Sequence, residues 1–354
     1  MEMVKVGIVG VTGYGGGELA RLLSCHPQAA FTYAASGTYA GQPLHAALPG
    51  LRGTGLTCEA FDAAVCADKC DLVFLAGEAG LAMQAAPLLL EQDKLVVDLS
   101  ADFRLKSPSE YETWYDKPHT APQLLDEAAY GLPELNKDKI TRARLVANPG
   151  CHVTAAVLAL APLVQAMAID PATIIIDSLS GVSGAGRAKF GLDYHFSEVN
   201  ESMRPYGVGG VHRHTPEIEQ SLSQLAGANV TVTFTPHLVP ITRGILTTAY
   251  ANLAEPNQGA QDALARLHDL YTEFYQDAPF VFVLDAGQFP ATKHVQGTNN
   301  CHIGIAVDGR TNRVVVVSAI DNLGKGAAGQ AVQNMNLMLG LPETMGLTGG
   351  AVWP

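Results

Sequence analysis

Short apolar runs alternate with longer segments of helical spacing along the first 150 residues of the chain. The short runs are rich in β-branched and aromatic residues and predict strands, and most of the intervening segments predict helices. The predicted strands are residues 4–10, 31–36, 71–77, 95–100 and 144–149. Regular alternation of strands and helices is typical of a parallel sheet covered by helices, so this part of the chain is predicted to be an α/β domain.

From about residue 170 the pattern changes to longer β-rich runs. The predicted strands are residues 173–180, 229–239, 244–253, 280–285, 301–309 and 312–320. The last two flank the short turn "DGRTN" and predict an antiparallel hairpin. A helix is expected at about 257–275, and residues 322–341 return to a helical pattern. The second part is therefore predicted to be an α+β domain on a mixed or antiparallel sheet.

Length and charge restrict the classes of function. A chain of 354 residues favours two domains. A formal net charge of −12 argues against nucleic acid or an anionic membrane surface as partner. The first residues run directly into a strand, and no stretch offers the roughly 20 apolar residues of a membrane span. We therefore expect a cytoplasmic protein whose six cysteines are thiols.

A glycine-rich stretch, "GVTGYGGGEL", follows the first predicted strand and opens the first predicted helix. Gly10, Gly13 and Gly16 allow a tight turn and bring backbone N–H groups close to a pyrophosphate at the helix N-terminus. This context predicts a Rossmann-like dinucleotide site, although a glycine turn without a ligand would have the same spacing.

The end of the second predicted strand bears on the choice of cofactor. NAD enzymes usually place an acidic residue there for the ribose 2′-hydroxyl, but this stretch reads "AASGTYAG". Ser36 and Thr38 could hydrogen-bond a 2′-phosphate instead, which favours NADP. Arg52 is a candidate for completing that site.

Cys151 follows Asn-Pro-Gly, where a predicted strand ends and an apolar helix begins. The helix N-terminus favours a thiolate, which is the nucleophilic form. A small apolar residue filling a core is the alternative for this stretch alone.

The stretch "GGVHRHTPEIEQSL" places two histidines before a predicted helix, with Thr215 at the N-cap and Glu217 in the first turn. His214 could shuttle protons while Glu217 orients it, and His212 is the second choice. A surface or cap histidine is one alternative. A metal site is another, but these spacings match no common zinc motif.

Two arginines lie in positions where an anionic ligand could bind. Ser100 and Arg104 follow a predicted strand end, and Arg243 precedes a strand of the second domain. Each arginine taken alone is also compatible with an ordinary solvated charge. The glycine-serine loop at 179–187 is suited to approach a cofactor or a substrate.

Eight stretches together resemble one family, in the expected order over nearly the whole chain. They are "GVTGYGGGEL", "DLSADFRL", "AAYGLPE", "NPGC", "SGVSGAGR", "PYGVGGVHRHTPEI", "FTPHLVPITRGI" and "DNLGKGAAGQAVQ". They resemble the N-acetyl-γ-glutamyl-phosphate reductases of arginine biosynthesis, which are related to aspartate-semialdehyde dehydrogenase.

The resemblance implies NADPH-dependent reduction of an acyl phosphate to an aldehyde, with release of phosphate and Cys151 as the nucleophile. It implies a nucleotide domain at 1–150 completed by 322–354, a catalytic and oligomerisation domain at 151–321, and a homodimer or homotetramer. Its expected cofactor positions are Gly10, Thr12, Gly13, Tyr14, Gly15, Gly16, Ser36, Thr38, Ser183, Gly184, Asn322 and Lys325. Its expected substrate positions are Ser100, Arg104, Asn148 and Arg243.

Other functions remain compatible with the sequence. An aspartate-semialdehyde dehydrogenase would share the thiol chemistry. A regulator that binds NADP without catalysis would share the glycine-rich loop, and a metal hydrolase would use the two histidines. We expect no bound metal.

Overall fold

The computed structural model describes residues 3–189, 191–255 and 259–352. It divides into two compact units. The first unit comprises the described residues up to Pro149 together with Gly186–Ala188 and Ala327–Gly349. The second comprises Gly150–Ala185, the described residues of Lys189–Gly326, and those from Gly350 onward.

The strands are β1 (Val4–Val9), β2 (Ala29–Ala35), β3 (Cys58–Glu59), β4 (Leu72–Leu75), β5 (Leu95–Asp98), β6 (Ala129–Tyr130), β7 (Leu145–Ala147), β8 (Ile175–Gly181), β9 (Arg204–Pro205), β10 (Thr233–Val239), β11 (Ile245–Asn252), β12 (Val281–Val283), β13 (Cys301–Asp308) and β14 (Arg313–Ile320).

The α-helices are α1 (Tyr14–Leu23), α2 (Leu44–Ala47), α3 (Ala63–Lys69), α4 (Leu81–Leu90), α5 (Pro108–Tyr115), α6 (Pro133–Thr141), α7 (Cys151–Gln165), α8 (Phe196–Val199), α9 (Thr215–Ala226), α10 (Ala260–Phe274) and α11 (Gly329–Met338). Within the described ranges, no helix has both the length and the apolar character needed to span a bilayer.

The first unit is built on a parallel sheet of seven strands in the order β3-β2-β1-β4-β5-β7-β6. Strands β4 and β5 are almost entirely buried, because helices cover both faces of a parallel sheet. The strand order reverses between β1 and β4. In open α/β sheets ligands bind at the carboxyl ends of the strands on either side of such a point, so the loop after β1 is the expected position of a ligand.

The second unit is built on a mixed sheet in the order β12-β13-β14-β11-β8-β10-β9. The pairs β8–β10 and β12–β13 are parallel, and the remaining pairs are antiparallel. Helix α7 packs against β11 and β14 and also against α9. Thirteen of its fifteen residues are buried, as expected for a helix that is apolar on every side.

The predicted fold class is confirmed, since the structure contains one parallel and one mixed sheet with the predicted β13–β14 hairpin. The five strands predicted for the first unit and the six predicted for the second are present with shifted ends. Strands β3, β6 and β9 were not predicted, because two residues are too few to show any period.

The predicted N-cap of α9, Thr215, was wrong by one residue. Helix α9 begins at Thr215 and its N-cap is His214, because the His214 carbonyl accepts the first helical bond, from Ile218. The C-terminal segment contains a π-helical turn, Gly324–Ala328, before α11. Residues 257 and 258 of the predicted helix and 353–354 of the predicted C-terminal segment lie outside the described residues.

Candidate active site

Cys151 is the first residue of α7, and its side chain is partly exposed. The N-cap, Gly150, offers no side-chain hydrogen bond, and the first turn holds no acidic residue. The helix's own side chains therefore leave the positive end of its dipole uncompensated, and the amides of the first turn have no intrahelical acceptor. This position favours a negative charge on the sulfur.

Two glycines let other groups come close to Cys151. A Cβ placed on Gly150 would lie 2.5 Å from Nε2 of His214, so the imidazole packs directly on the backbone that precedes the thiol. A Cβ placed on Gly326 would lie 2.9 Å from Cβ of Cys151. Any larger residue at either position would displace the cysteine or the histidine.

The histidine pair has a defined geometry. The two imidazole centroids lie 4.9 Å apart, and the backbone N–H of His214 donates to Nδ1 of His212 at 3.1 Å. Because Nδ1 of His212 accepts this bond, the neutral ring carries its proton on Nε2. Burial, followed by the nearby charge of Arg213, lowers the pKa of His212 to about 4. His212 is thus neutral at physiological pH.

Glu217 is buried in the first turn of α9. Its Oε1 accepts a hydrogen bond from the Gly150 amide at 2.9 Å, which ties the start of α9 to the residue before the thiol. The carboxylate was predicted to orient His214. Its hydrogen bond with the Gly150 amide holds the backbone on which the His214 ring packs.

His152 was not predicted as a site residue, although it lies next to Cys151. It is fully buried, and burial, followed by the charge of His212, lowers its pKa to about 3. Its Nδ1 lies 2.7 Å from Oγ of Ser178, and its Nε2 lies 2.9 Å from the hydroxyl of Tyr206. Ser178 in turn lies 2.7 Å from Oγ1 of Thr247, so a chain of hydrogen bonds runs through the second unit.

Tyr206 closes this cluster on its outer side. Its ring centroid lies 5.3 Å from that of His212. Burial raises the pKa of Tyr206, and the charge of Cys151 raises it further, so the phenol stays protonated near the thiol. Across residues 3–189, 191–255 and 259–352, no group of three or more His, Cys, Asp or Glu side chains is arranged to hold a metal.

Arg243, predicted to bind substrate, is held by Asp321 in the second unit. Its Nε lies 2.9 Å from Oδ2 of this fully buried carboxylate. Asp321 also accepts hydrogen bonds from the amides of Gly297, Leu323 and Gly324. The carboxylate thus fixes the direction of the guanidinium.

Two of the predicted cofactor residues, Ser183 and Asn322, hydrogen-bond one another in the second unit. Asn322 donates from Nδ2 to Oγ of Ser183 at 2.9 Å, and its Oδ1 accepts from the Gly244 amide. A Cβ on Gly184 would lie 3.8 Å from Nδ2 of Asn322. Lys325 is fully buried, and its Nζ lies 5.8 Å from the centroid of the Phe280 ring.

The glycine-rich loop of the first unit is packed so tightly that side chains at Gly10 and Gly16 would collide with neighbouring backbone. Gly10 has a positive φ of 86°, and a Cβ there would lie 2.6 Å from the Ala76 carbonyl oxygen. A Cβ on Gly16 would collide with the Gly10 carbonyl. Gly13 is the N-cap of α1, whose first turn contains no acidic residue. The loop therefore fits a dinucleotide pyrophosphate at the N-terminus of α1.

The other cofactor residues predicted in the first unit lie in this loop or directly after β2. Tyr14 opens α1 and is exposed, and a Cβ on Gly15 would meet no atom within 4 Å. Oγ1 of Thr12 lies 3.0 Å from Oγ of the buried Ser36. Thr38 is exposed in the bend that follows β2.

Three of the predicted substrate residues form one network in the first unit. Buried Arg104 donates from Nε to the Asn148 carbonyl and from Nη2 to the Leu99 carbonyl, both at 2.8 Å. Ser100 donates to Asp98 at 3.0 Å. Burial, followed by the charge of Asp102, raises the pKa of Asp98 to about 7. Asn148 also contacts Asn334 of α11 and the Ala327 carbonyl.

Models of two protein families match most of the chain. Residues 5–143 match the semialdehyde dehydrogenase NAD binding domain, and residues 151–322 match the semialdehyde dehydrogenase dimerisation domain. The first match indicates a nicotinamide cofactor.

Relatives of high similarity cover the whole chain. N-acetyl-gamma-glutamyl-phosphate reductase of Geobacter metallireducens is 54% identical over 353 residues, covering 99% of this chain and 100% of the relative. The protein of the same name from Pelotomaculum thermopropionicum is 53% identical and covers 99% of each chain.

Solved structures with a similar fold are more distant in sequence. Aspartate semialdehyde dehydrogenase II from Vibrio cholerae has a TM-score of 0.71 at 17% identity, covering 96% of this chain and 99% of the other. Aspartate semialdehyde dehydrogenase with NADP from Candida albicans has a TM-score of 0.68 at 18% identity, with the same coverage. At these identities the likeness establishes the fold alone.

Proposed function

Because the chain belongs to the N-acetyl-gamma-glutamyl-phosphate reductase family, a family of oxidoreductases with the semialdehyde dehydrogenase fold, we propose that it reduces N-acetyl-L-glutamyl 5-phosphate. The products are N-acetyl-L-glutamate 5-semialdehyde and inorganic phosphate, NADPH is the reductant, and the reaction serves arginine biosynthesis in the cytoplasm. The observation that carries the proposal is a partly exposed thiol at the start of a buried helix, with an imidazole against the preceding glycine.

The first chemical step is assigned to Cys151. Its thiolate attacks the acyl carbonyl, a carbon–sulfur bond forms, and the carbon–oxygen bond to phosphate breaks, which leaves a thioester. First-turn amides of α7, such as those of His152 and Val153, are suited to stabilise the negative charge on the carbonyl oxygen. After reduction, the thiohemiacetal collapses and the thiolate is regenerated.

His214 is assigned the proton transfers. It would protonate the oxygen of the thiohemiacetal as charge develops and take the proton back when the aldehyde leaves. The close packing of its ring on Gly150 supports this choice over His212. His212 has a low pKa and uses Nδ1 to accept the His214 amide, so we assign it to positioning.

The cofactor residues are those of the glycine-rich loop, the two hydroxyl residues after β2, and the contacts in the second unit. NADPH, when bound, supplies the hydride that reduces the thioester. We assign Gly10, Gly13 and Gly16 to its pyrophosphate, and we assign Ser183, Gly184, Asn322 and Lys325 to cofactor binding as well. The lack of an acidic residue directly after β2 supports NADPH over NADH.

The substrate carries negative charge at both ends, which requires two cationic groups. We assign Arg104, with Ser100 and Asn148, to the phosphate and Arg243 to the α-carboxylate. The ion pair that Nε of Arg243 makes with the Asp321 carboxylate supports this role, because it fixes the guanidinium before substrate binds. The match to a dimerisation domain supports a homodimer or homotetramer.

The reaction can be tested in reverse. Purified protein mixed with N-acetylglutamate semialdehyde, NADP⁺ and phosphate should form NADPH, and the same mixture without phosphate should not. Aspartate semialdehyde serves as the matched control substrate. Equal or faster NADPH formation from aspartate semialdehyde would contradict the proposed substrate, and formation independent of phosphate would contradict the acyl-phosphate product.

A further inference from the structure

Arg187 lies against the glycine-rich loop, although 175 residues separate it from Thr12. It belongs to Gly186–Ala188, which is part of the first unit. Its Nη1 donates to the Thr12 carbonyl at 3.0 Å and to the Ala47 carbonyl at 3.3 Å. Two bonds from one terminal nitrogen fix the plane of the guanidinium. Among the described residues, Nε and Nη2 of Arg187 have no protein acceptor.

Thr12 connects this arginine to the end of β2. Its Oγ1 lies 3.0 Å from Oγ of Ser36, which is the first residue after β2. Oγ of Ser36 also accepts a hydrogen bond from the Tyr39 amide. The guanidinium is thus bonded to the carbonyl of Thr12, whose hydroxyl lies beside that of Ser36. The end of β2 is where a dinucleotide-binding sheet meets the adenosine ribose.

The nearest strand end offers no carboxylate for a ribose hydroxyl. Glu59, at the end of β3, binds the Ser36 amide through its carbonyl, while its carboxylate pairs with Lys69 at 2.7 and 2.8 Å. A Cβ on Gly37 or Gly41 would meet no atom within 4 Å, so the chain after β2 is open on that side. The region after β2 thus has the positive charge of Arg187, the hydroxyl groups of Thr12 and Ser36, and open space for a ligand.

We propose that Arg187 binds the 2′-phosphate of NADP(H), with Thr12 and Ser36 as hydroxyl partners. The inference rests on the proposed function, and it assigns the cofactor preference to Arg187 and not to Arg52. Arg52 is exposed on the short segment Pro49–Thr54. A guanidinium held by Nη1 can present its other edge to two phosphate oxygens, which a lysine ammonium cannot do in the same plane.

The test measures binding, so that catalysis does not enter. The Kd values of NADPH and NADH, and of the fragments 2′,5′-ADP and 5′-AMP, are determined by calorimetry for wild type, Arg187→Ala, Arg187→Lys and the control Arg52→Ala. Loss of a hydrogen bond to a charged group predicts that Arg187→Ala weakens NADPH and 2′,5′-ADP by about 10- to 100-fold. NADH and 5′-AMP should change by less than about threefold, and Arg187→Lys should lie in between.

Two results would overturn the inference while leaving the proposed cofactor intact. Equal weakening of NADPH and NADH by Arg187→Ala would show that the arginine only braces the Thr12 loop. A selective loss in Arg52→Ala would move the phosphate contact to that residue. If wild type itself binds NADPH no better than NADH, the proposed cofactor preference fails, and the inference fails with it.

Discussion

The sulfur of Cys151 and the imidazole of His214 both depend on Gly150, a residue with no side chain. The His214 ring occupies the space where a Cβ would stand, and the Gly150 amide is bound by Glu217. Thiol, imidazole and carboxylate are therefore connected through a single peptide. His214 thus packs on the glycine that precedes the thiol, while His212 accepts the backbone N–H of His214.

At the residue scale, we expect different effects for the two histidines. His214→Asn should lower kcat by about 10²- to 10⁴-fold, because it removes the proposed general acid and base. His212→Asn should lower kcat by less than about tenfold, since an amide oxygen can still accept the His214 N–H. Steady-state kinetics of both variants checks this prediction, and a larger loss in His212→Asn would transfer the proton role to His212.

At the element scale, His152 joins α7 to the mixed sheet and should make stability depend on pH. Its pKa is about 3 in the folded protein and 6.5 as an ordinary histidine. The unfolded chain therefore binds a proton that the folded chain does not as pH falls below 6.5. The contribution of His152 to the free energy of unfolding is therefore fully present above pH 6.5 and is lost progressively on acidification. At pH 5 the loss is about 2 kcal/mol.

Urea unfolding at pH 7.5 and pH 5.0 measures this effect. The difference in unfolding free energy between the two pH values should be smaller in His152→Gln than in wild type by about 2 kcal/mol. His195→Gln, at an exposed histidine, is the matched control and should retain the wild-type difference. An unchanged pH dependence in His152→Gln would show that His152 is not a buried neutral group.

Most helices and strands could be predicted from the sequence, because each long element buries an apolar face of the expected period. The two-residue strands could not, since their pairing is imposed by neighbouring strands. Helix starts show a similar division. The start of α7 at Cys151 could be predicted from Asn-Pro-Gly followed by an apolar run, whereas the N-cap of α9 was misplaced by one residue. The local pattern of apolar residues predicts whether a segment is a helix or a strand, but hydrogen bonding decides the residue at which it begins or ends.

At the scale of the whole molecule, the limits of sequence reasoning lie in contacts between distant segments. Thr12 and the glycines follow β1, and Ser36 follows β2. The sequence pattern can therefore place them at the same edge of the sheet. Arg187 comes to Thr12 only because three residues of a later loop return to the first unit. Asp321 reaches Arg243 in a comparable way. No local signal in the sequence marks either contact, whereas His152 could have been noticed as a histidine next to the thiol.

The claim on which the account depends is that substrate becomes attached to Cys151. Mass spectrometry of peptides from protein mixed with N-acetyl-L-glutamyl 5-phosphate, without NADPH, measures this directly. The account predicts an N-acetylglutamyl group on the Cys151 peptide that disappears when NADPH is added, and an unmodified peptide for the exposed Cys25. Steady turnover with no adduct on Cys151, or equal labelling of Cys25, would contradict it.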